Sequence, residues 1–192
     1  MKVKIKILGK GTHALMIKSI IEQNKNYKFN GFTNISNLKN IKKENHIIGI
    51  GDLKKREEII KKFKSKIFFK TIIDQTSNIC KNVKIGNGTL IAKGCIINNK
   101  TTIGENCIIN TGSIIEHDCV IENNVHIGPG SIICGNSKIR DNVFIGAGSI
   151  IINNISISKN VIIGAFSNVI KNITKPSKYV GNPAKLIKSS KR

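Results

Sequence analysis

An aliphatic residue recurs at every sixth position over more than half of the chain. Seventeen consecutive positions spaced by six, from Ile73 to Val169, are aliphatic, and sixteen of them are isoleucine. A helix would need a spacing near 3.6 residues and a strand a spacing of 2, so neither explains the pattern. A period of six is typical of a parallel β-helix, in which short strands joined by tight turns surround a narrow apolar core.

A small or β-branched residue usually lies four positions after each of these aliphatic residues. We expect this second residue to fill a corner of the same core, with three repeats forming one coil and roughly five coils stacked between residues 72 and 174. Cys95, Cys107 and Cys119 occupy such positions, 12 residues apart. They are therefore interpreted as corner residues on different faces, not as converging metal ligands, and an odd total of five cysteines favours reduced thiols.

The first 70 residues follow a different pattern, in which strands and amphipathic helices alternate. Strands are predicted over 3–8, 28–33 and 46–50, and helices over 13–23 and 53–63. This order predicts a small α/β domain of βαβαβ type with a parallel, Rossmann-like sheet.

Three units are thus expected along the chain. They are an α/β domain over 1–70, a β-helix over 71–174, and a C-terminal cap over 175–192 whose last residues form a disordered tail.

The net charge of +21 raises the question of a nucleic-acid partner. The charge is uneven: 18 basic and 5 acidic residues in 1–70, 8 and 6 in 71–174, and 6 and 0 in 175–192. Only three residues are arginine, and aromatic residues do not alternate with lysines as a stacking platform requires. The 41 Ile and 24 Asn accompany the lysines as expected from an A/T-rich genome. Attraction of small polyanions is favoured, and a basic nucleic-acid-binding solenoid is the alternative from another class.

No apolar run approaches the roughly 20 residues that span a bilayer. The first ten residues alternate lysine with aliphatic residues and lack the continuous apolar core of a signal peptide. The sequence therefore predicts a cytoplasmic protein without a membrane partner.

A glycine-containing turn, Gly9 to Ala14, follows the first predicted strand and opens the first helix. Backbone N–H groups at such a turn suit a phosphate, although the segment is not a full dinucleotide fingerprint and a plain βα turn is the alternative. Gly51 and Asp52 end the third predicted strand at the same edge of the sheet. Arg56 follows one helical turn later, where it would reach a phosphate or a base.

A histidine between two carboxylates, Glu116-His117-Asp118, stands out within the regular repeats. The six-residue register points His117 outward, and a neighbouring carboxylate would fix one imidazole tautomer and raise its basicity, as a general base requires. His126 lies half a coil further along. These two histidines are too few for the three-histidine zinc site of a γ-type carbonic anhydrase.

Several motifs together resemble the sialic-acid O-acetyltransferase and nucleotide-aminosugar N-acetyltransferase family. They are the early turn ending in His13, the hexapeptide solenoid, N-T-G-S-I-I-E-H-D-C at 110–119, V-H-I-G-P-G at 125–130 and G-N-P-A-K at 181–185. The resemblance covers nearly the whole chain and implies a left-handed β-helix. It also implies acetyl-CoA as co-substrate, no metal, and a homotrimer with active sites between subunits. The best-known members acetylate the 4-amino group of UDP-linked 4-amino-4,6-dideoxy sugars.

The resemblance also implies roles for individual residues. His117 matches the catalytic base and Asp118 the carboxylate that assists it. The substrate side is expected to include Gly11, Thr12, His13, Asn34, Gly51, Asp52, Arg56 and Asn110. The acetyl-CoA side is expected to include His126, Gly135, Ala147, Ala165, Gly181, Asn182, Pro183 and Lys185.

Two positions depart from the family pattern. Ala14 replaces a usual glycine, and Asn34 replaces a usual aspartate near the nucleotide base, which leaves uridine, thymidine and guanosine open. O-acetylation of a sialic acid or another sugar is the nearest alternative activity. A cysteine-linked route through Cys134 is disfavoured, because nothing in its surroundings indicates a lowered thiol pKa.

Overall fold

The N-terminal part of the protein is a parallel four-stranded sheet with two helices. A computed structural model describes residues 2–34 and 43–187; the predicted disordered end of the tail lies outside the described residues. In chain order the elements are β1 Val3–Leu8, α1 Thr12–Gln23, β2 Tyr27–Thr33, β3 Asn45–Ile48, α2 Leu53–Phe63 and β4 Phe68–Phe69. The sheet order is β2-β1-β3-β4. The predicted strands and helices are confirmed to within two residues, but the observed order is βαββαβ, with one strand more than the expected βαβαβ.

The repeats form the left-handed parallel β-helix that was predicted, with seventeen two-residue strands on three faces. Face 1 consists of β5 Ile72–Ile73, β8 Leu90–Ile91, β11 Ile108–Ile109, β14 His126–Ile127, β17 Phe144–Ile145 and β20 Ile162–Ile163. Face 2 consists of β6 Asn78–Ile79, β9 Ile96–Ile97, β12 Ile114–Ile115, β15 Ile132–Ile133, β18 Ile150–Ile151 and β21 Asn168–Val169. Face 3 consists of β7 Lys84–Ile85, β10 Thr102–Ile103, β13 Val120–Ile121, β16 Lys138–Ile139 and β19 Ser156–Ile157. At three strands a coil this gives nearly six coils, more than the expected number.

Turns between the faces form three edges of a triangular prism. The first edge joins face 1 to face 2 and comprises residues 74–77, 92–95, 110–113, 128–131, 146–149 and 164–167. The second edge joins face 2 to face 3 and comprises 80–83, 98–101, 116–119, 134–137 and 152–155. The third edge joins face 3 to face 1 and comprises 86–89, 104–107, 122–125, 140–143 and 158–161.

The core of the prism is filled by the residues that recur every six positions. The second residue of each strand points inward, and from Ile91 to Val169 these side chains are at most 1% exposed. Polar corner residues satisfy their hydroxyl groups across the coils, as Ser131 does by donating to the Gly146 carbonyl at 2.9 Å. Cys95, Cys107 and Cys119 are fully buried, which confirms them as corner residues.

The N-terminal sheet and the β-helix share one apolar cluster. Ile5 and Ile7 of β1 and residues of α1 pack against Ile72, Leu90 and Ile108, whose side chains leave face 1 outward. The inner side of face 1 therefore belongs to the core of the prism. Its outer side is covered by the N-terminal domain in the first three coils, at Ile72, Leu90 and Ile108.

The chain ends in a cap on the last coil. β22 Lys178–Val180 extends face 1 beyond β20, and β23 Lys185–Leu186 pairs with β22 in antiparallel orientation. Neither helix in the described part of the chain has the length and apolar character needed to cross a membrane.

Candidate active site

His117 and Asp118 form a hydrogen-bonded pair on the second edge. The Nδ1 atom of His117 lies 2.8 Å from a carboxylate oxygen of Asp118, and both side chains are about half exposed. Because a carboxylate only accepts, Nδ1 carries the hydrogen and Nε2 keeps a free lone pair. The other candidate carboxylate, Glu116, accepts instead from the Asn98 side chain one coil below, at 2.8 Å. Asp118 is thus the residue that orients the imidazole.

The His117 ring lies against Gly135 of the next coil. A Cβ atom at Gly135 would lie 2.8 Å from Cε1 and 2.9 Å from Nε2 of the ring, closer than real side chains approach. Glycine is therefore required for the imidazole to take this position. The Gly135 N–H donates to no backbone acceptor among the described residues.

Four of the predicted residues meet where the N-terminal domain touches the outer side of face 1. His126 is 8% exposed; its Nδ1 lies 3.3 Å from the Gly51 carbonyl oxygen and its Nε2 lies 3.4 Å from the Asn110 amide nitrogen. Since a carbonyl only accepts, Nδ1 donates and Nε2 accepts from Asn110. The His13 ring is 6.4 Å from the His126 ring, centroid to centroid. His126, expected on the acetyl-CoA side, thus lies among the substrate-side residues.

Both histidines of this cluster are held in the neutral form. Burial, with smaller contributions in the same direction from the Arg56 guanidinium and from His126, lowers the pKa of His13 to about 4. The pKa of His126 is also lowered to about 4, mainly by burial; the hydrogen bond to Gly51 opposes this in part, and Arg56 adds a smaller lowering. Neutral imidazoles can both donate and accept, which suits them to contact hydroxyl or phosphate groups.

The N-terminus of α1 offers free donors beside this cluster. Gly11 is the N-cap residue and supplies no side-chain cap, and no acidic residue lies in the first turn, which begins with Thr12. The buried Nε2 of His13 has no hydrogen-bond partner among the described residues. An uncapped helix N-terminus with an adjacent imidazole is an anion-binding arrangement.

Gly51 and Asp52 line a cleft of about 590 Å³ between α2 and the outer side of face 1, together with Phe144 and Ile162. The Asp52 carboxylate caps α2 by accepting from the Lys55 N–H at 2.8 Å. Asn34 follows the end of β2 and is exposed. A second cleft, of about 610 Å³, lies on face 3 around Arg140 and contains none of the predicted residues.

Arg56 corrects one expectation. Its side chain is 1% exposed and donates to the carbonyl oxygens of Ile48, Ile50 and Asn106 and to the side-chain oxygen of Asn124. A guanidinium that is buried in this way does not face a nucleotide. Sequence reasoning could not detect that Arg56 is buried, because its acceptors lie up to 68 residues away along the chain.

The remaining acetyl-CoA-side residues lie along the first edge. Ala147 and Ala165 alternate there with Gly128, Gly146 and Gly164, at which any added Cβ would collide with the next coil or cap. These glycines let successive coils stack closely, and the small side chains of Ala147 and Ala165 leave a smooth strip on which a slender chain can approach the backbone.

The cap closes the upper end of this strip. Asn182 and Pro183 belong to its turn, from which Gly181 accepts a hydrogen bond from the Asn168 N–H at 3.0 Å. Lys185 opens β23. Phe166, which sequence reasoning did not select, projects from the strip beside the cap with 79% of its surface exposed.

The predicted residues of one chain do not form a single group. His117, Asp118 and Gly135 lie on the second edge, whereas Asn110, Ala147 and Ala165 lie on the first, and the whole of face 2 separates the two. Within the described part of the chain, no three His, Cys, Asp or Glu side chains are arranged to hold a metal ion.

Comparisons with known proteins agree with this architecture. Residues 100–135 match the family model of the bacterial transferase hexapeptide (six repeats). No protein with a curated description matches the sequence.

Three solved structures cover almost the entire chain. A mutant of GDP-perosamine N-acetyltransferase from Caulobacter crescentus, in complex with CoA and GDP-perosamine, has 21% identity and a TM-score of 0.89, covering 97% of each chain. The acetyltransferase domain of PglB from Neisseria gonorrhoeae, in complex with acetyl coenzyme A, has 18% identity and a TM-score of 0.87, covering 97% of this chain and 100% of that one. WeeI from Acinetobacter baumannii has 24% identity and a TM-score of 0.81, with the same coverage. The chain therefore carries bacterial transferase hexapeptide repeats within a fold that it shares with these three proteins.

Proposed function

We propose that the protein transfers an acetyl group from acetyl-CoA to the amino group of a nucleotide-linked 4-amino-4,6-dideoxy sugar. The observation that carries this proposal is the His117–Asp118 pair, which presents a free Nε2 over Gly135 at an exposed edge of an acetyltransferase fold. Complexes of similar structures with CoA and with GDP-perosamine support the classes of donor and acceptor.

The geometry supports a direct transfer in which His117 is the general base. The sugar amine attacks the thioester carbonyl, and Nε2 of His117 accepts the amine proton as the carbon–nitrogen bond forms. Asp118 accepts from Nδ1 and stabilises the imidazolium that results. The Gly135 N–H is suited to stabilise the oxyanion, and His117 then returns the proton to the departing CoA thiolate. No acyl-enzyme intermediate is required.

The smooth first edge fits the pantetheine arm of acetyl-CoA. The proposed contacts are the backbone at Ala147 and Ala165, with Gly181 to Lys185 toward the adenosine end. Gly135 would meet the arm at its thioester end. The N-terminus of α1, with Gly11, Thr12 and His13, and the cleft at Gly51 and Asp52 would hold the nucleotide and its phosphates.

A homotrimer with sites between subunits would unite these two groups. A site that contains both His117 and Ala147 requires the second edge of one chain to face the first edge of another, because face 2 separates them within one chain. The outer side of face 2 carries a column of isoleucines, in which Ile96 and Ile150 are 38% and 39% exposed. Such an apolar ladder on a surface supports contact with another subunit.

Replacement of His117 by alanine tests the proposed function. We expect His117→Ala to lose acetyl transfer from acetyl-CoA by a factor of about 100 or more while nucleotide-sugar binding persists, because the α1 cluster is untouched. Thiol release would be followed with UDP-, dTDP- and GDP-linked 4-aminosugars and with hydroxyl acceptors such as sialic acid. Turnover retained by the variant would contradict the role of His117, and preference for a hydroxyl acceptor would favour an O-acetyltransferase.

A further inference from the structure

Arg56 joins the N-terminal domain to the β-helix through hydrogen bonds on both sides. On the domain side its Nη1 atom donates to the carbonyl oxygens of Ile48 at 3.1 Å and Ile50 at 2.9 Å. These carbonyls belong to the end of β3 and the segment after it, immediately before Gly51. The guanidinium therefore fixes the backbone that leads into the substrate-side cluster.

On the β-helix side, Arg56 reaches two adjacent coils at the third edge. Nη2 donates to the Asn106 carbonyl at 2.7 Å, and Nε donates to the side-chain oxygen of Asn124 at 3.3 Å. The Asn124 amide in turn donates to the Leu53 carbonyl at the start of α2, at 3.1 Å. The contact between domain and β-helix is thus reciprocal and centred on one side chain.

No carboxylate is paired with this buried cation among the described residues. Burying an unpaired charge costs several kcal/mol, whereas an apolar residue of similar size at such a place is often neutral or stabilising. The four neutral acceptors offset part of that cost. Packing alone therefore gives no reason for a guanidinium at this position.

We infer that Arg56 is a positioning residue that holds the end of β3 on the β-helix, and so sets where Gly51, His126 and His13 stand relative to an incoming acceptor. The chain of contacts runs from Arg56 to the Ile50 carbonyl, from Gly51 to His126, and from His126 to Asn110. Loss of the guanidinium releases the first link and lets the domain edge shift on face 1. That this edge binds the acceptor rests on the proposed function; the anchoring itself rests on the contacts.

Charge gives Arg56 a second effect on the same residues. The groups around His126 are the Gly51 carbonyl, Asn110, the Phe144 ring, His13 and Arg56, and among these only His13 and Arg56 titrate or carry charge. The guanidinium disfavours protonation of both imidazoles. Removing it moves both pKa values upward, toward the ordinary value of a histidine.

Two substitutions separate these effects. Arg56→Met removes the charge and all four hydrogen bonds, and Arg56→Lys keeps the charge but cannot reach four acceptors in the planar arrangement of a guanidinium. Lys55→Met, an exposed neighbour on α2, is the matched control. KM values for the acceptor and for acetyl-CoA would be measured separately, and histidine titrations followed by NMR on histidine-labelled full-length protein.

For Arg56→Met we expect the acceptor KM to rise about tenfold or more, the acetyl-CoA KM to change less than about twofold, and the His13 and His126 titrations to move to higher pH. For Arg56→Lys we expect the rise in acceptor KM without the shift in titration. Lys55→Met should match the wild type.

The inference is overturned if Arg56→Met keeps the wild-type acceptor KM and the wild-type histidine titrations. It is also overturned if both KM values change equally and the only other effect is a lower thermal stability. If Arg56→Met does not fold, Arg56→Lys decides, and an unchanged acceptor KM overturns the inference. If the wild-type protein acetylates none of the sugars, the proposed function fails. In that case the histidine titrations, together with the affinities of UDP and GDP for each variant, still test the positioning role of Arg56.

Discussion

The backbone conformation of Asp118 determines which of the two neighbouring carboxylates bonds to His117. Asp118 has φ 57°, the left-handed conformation that recurs in these turns, and this conformation brings its carboxylate to Nδ1 of His117. Aspartate tolerates that conformation better than most residues with a side chain. Glu116, the first residue of the same turn, accepts from the Asn98 side chain instead. The two acidic neighbours therefore have different tasks although they flank the histidine symmetrically in sequence.

The paired substitutions Asp118→Asn and Glu116→Gln test this assignment. Asparagine keeps the turn conformation but removes the charge that stabilises the imidazolium, so we expect kcat to fall by about tenfold or more. Glutamine at 116 still accepts from Asn98, and we expect kcat to change less than about twofold. Steady-state acetylation assays on both variants provide the measurement. Equal losses in the two variants would contradict the assignment.

Phe166 is another non-glycine residue in the left-handed region, with φ 54°. Four of the five positions stacked below it at the first edge, Gly94, Gly112, Gly130 and Gly148, are glycine. An aromatic residue in this conformation costs about 1–2 kcal/mol, and the ring regains little by burial because it is 79% exposed and touches mainly Gly148.

We therefore expect Phe166→Gly to raise the free energy of unfolding by about 1 kcal/mol. Asn160→Gly is the control; this exposed asparagine already tolerates a left-handed turn and its side chain makes no hydrogen bond among the described residues, so its change should stay within a few tenths of a kcal/mol. Denaturant unfolding at one fixed protein concentration gives both values. A destabilised Phe166→Gly would mean that the ring contact outweighs the backbone strain.

At the scale of the element, the six-residue coil explains much of the unusual composition. In the described part of the chain, six of the nine non-glycine residues with positive φ are asparagine, each at the third position of a turn. The abundance of asparagine, which composition alone assigned to an A/T-rich genome, thus also meets a conformational demand of the turns. Cys95, Cys107 and Cys119 have an equally definite place, in fully buried corners at the fourth position of a turn.

Thiol labelling tests the corner assignment. Burial raises the pKa of the Cys95 and Cys119 thiols to about 11 and that of Cys107 to about 12, so all three stay protonated at pH 8 as well as inaccessible. We expect no more than two thiols, Cys80 and Cys134, to react with iodoacetamide in the native protein at pH 8, and all five after unfolding in guanidinium chloride. Mass spectrometry of digested peptides identifies them. Rapid native labelling of Cys107 would contradict the packing.

The coil also explains which features the sequence could predict. Each strand of the β-helix follows from one position in six, because the interior accepts only one kind of side chain there. Arg56 and His126 depend on contacts between the domain and the β-helix that span 50 to 75 residues of sequence. No local pattern records such contacts, so a buried arginine and a phosphate-binding arginine look the same in sequence.

At the scale of the whole molecule, the proposed chemistry depends on how copies of the chain meet. One prism carries the base on its second edge and the smooth strip on its first, with the isoleucine column of face 2 between them. In a closed ring of identical subunits, each contact pairs one surface with a different surface of the next copy. Three such contacts would produce three equivalent sites, each with His117 from one chain and Ala147 from its neighbour.

Mixing two inactive variants tests this arrangement directly. His117→Ala lacks the base, and Ala147→Trp blocks the strip, so homotrimers of either should be inactive. If each site takes the two residues from different chains, random 1:1 mixed trimers should regain about one quarter of the wild-type sites. The variants would be unfolded together and refolded, with separately refolded samples mixed afterwards as the control, and acetyl transfer measured per subunit. Activity that stays at the level of the control would mean that both residues of a site come from the same chain.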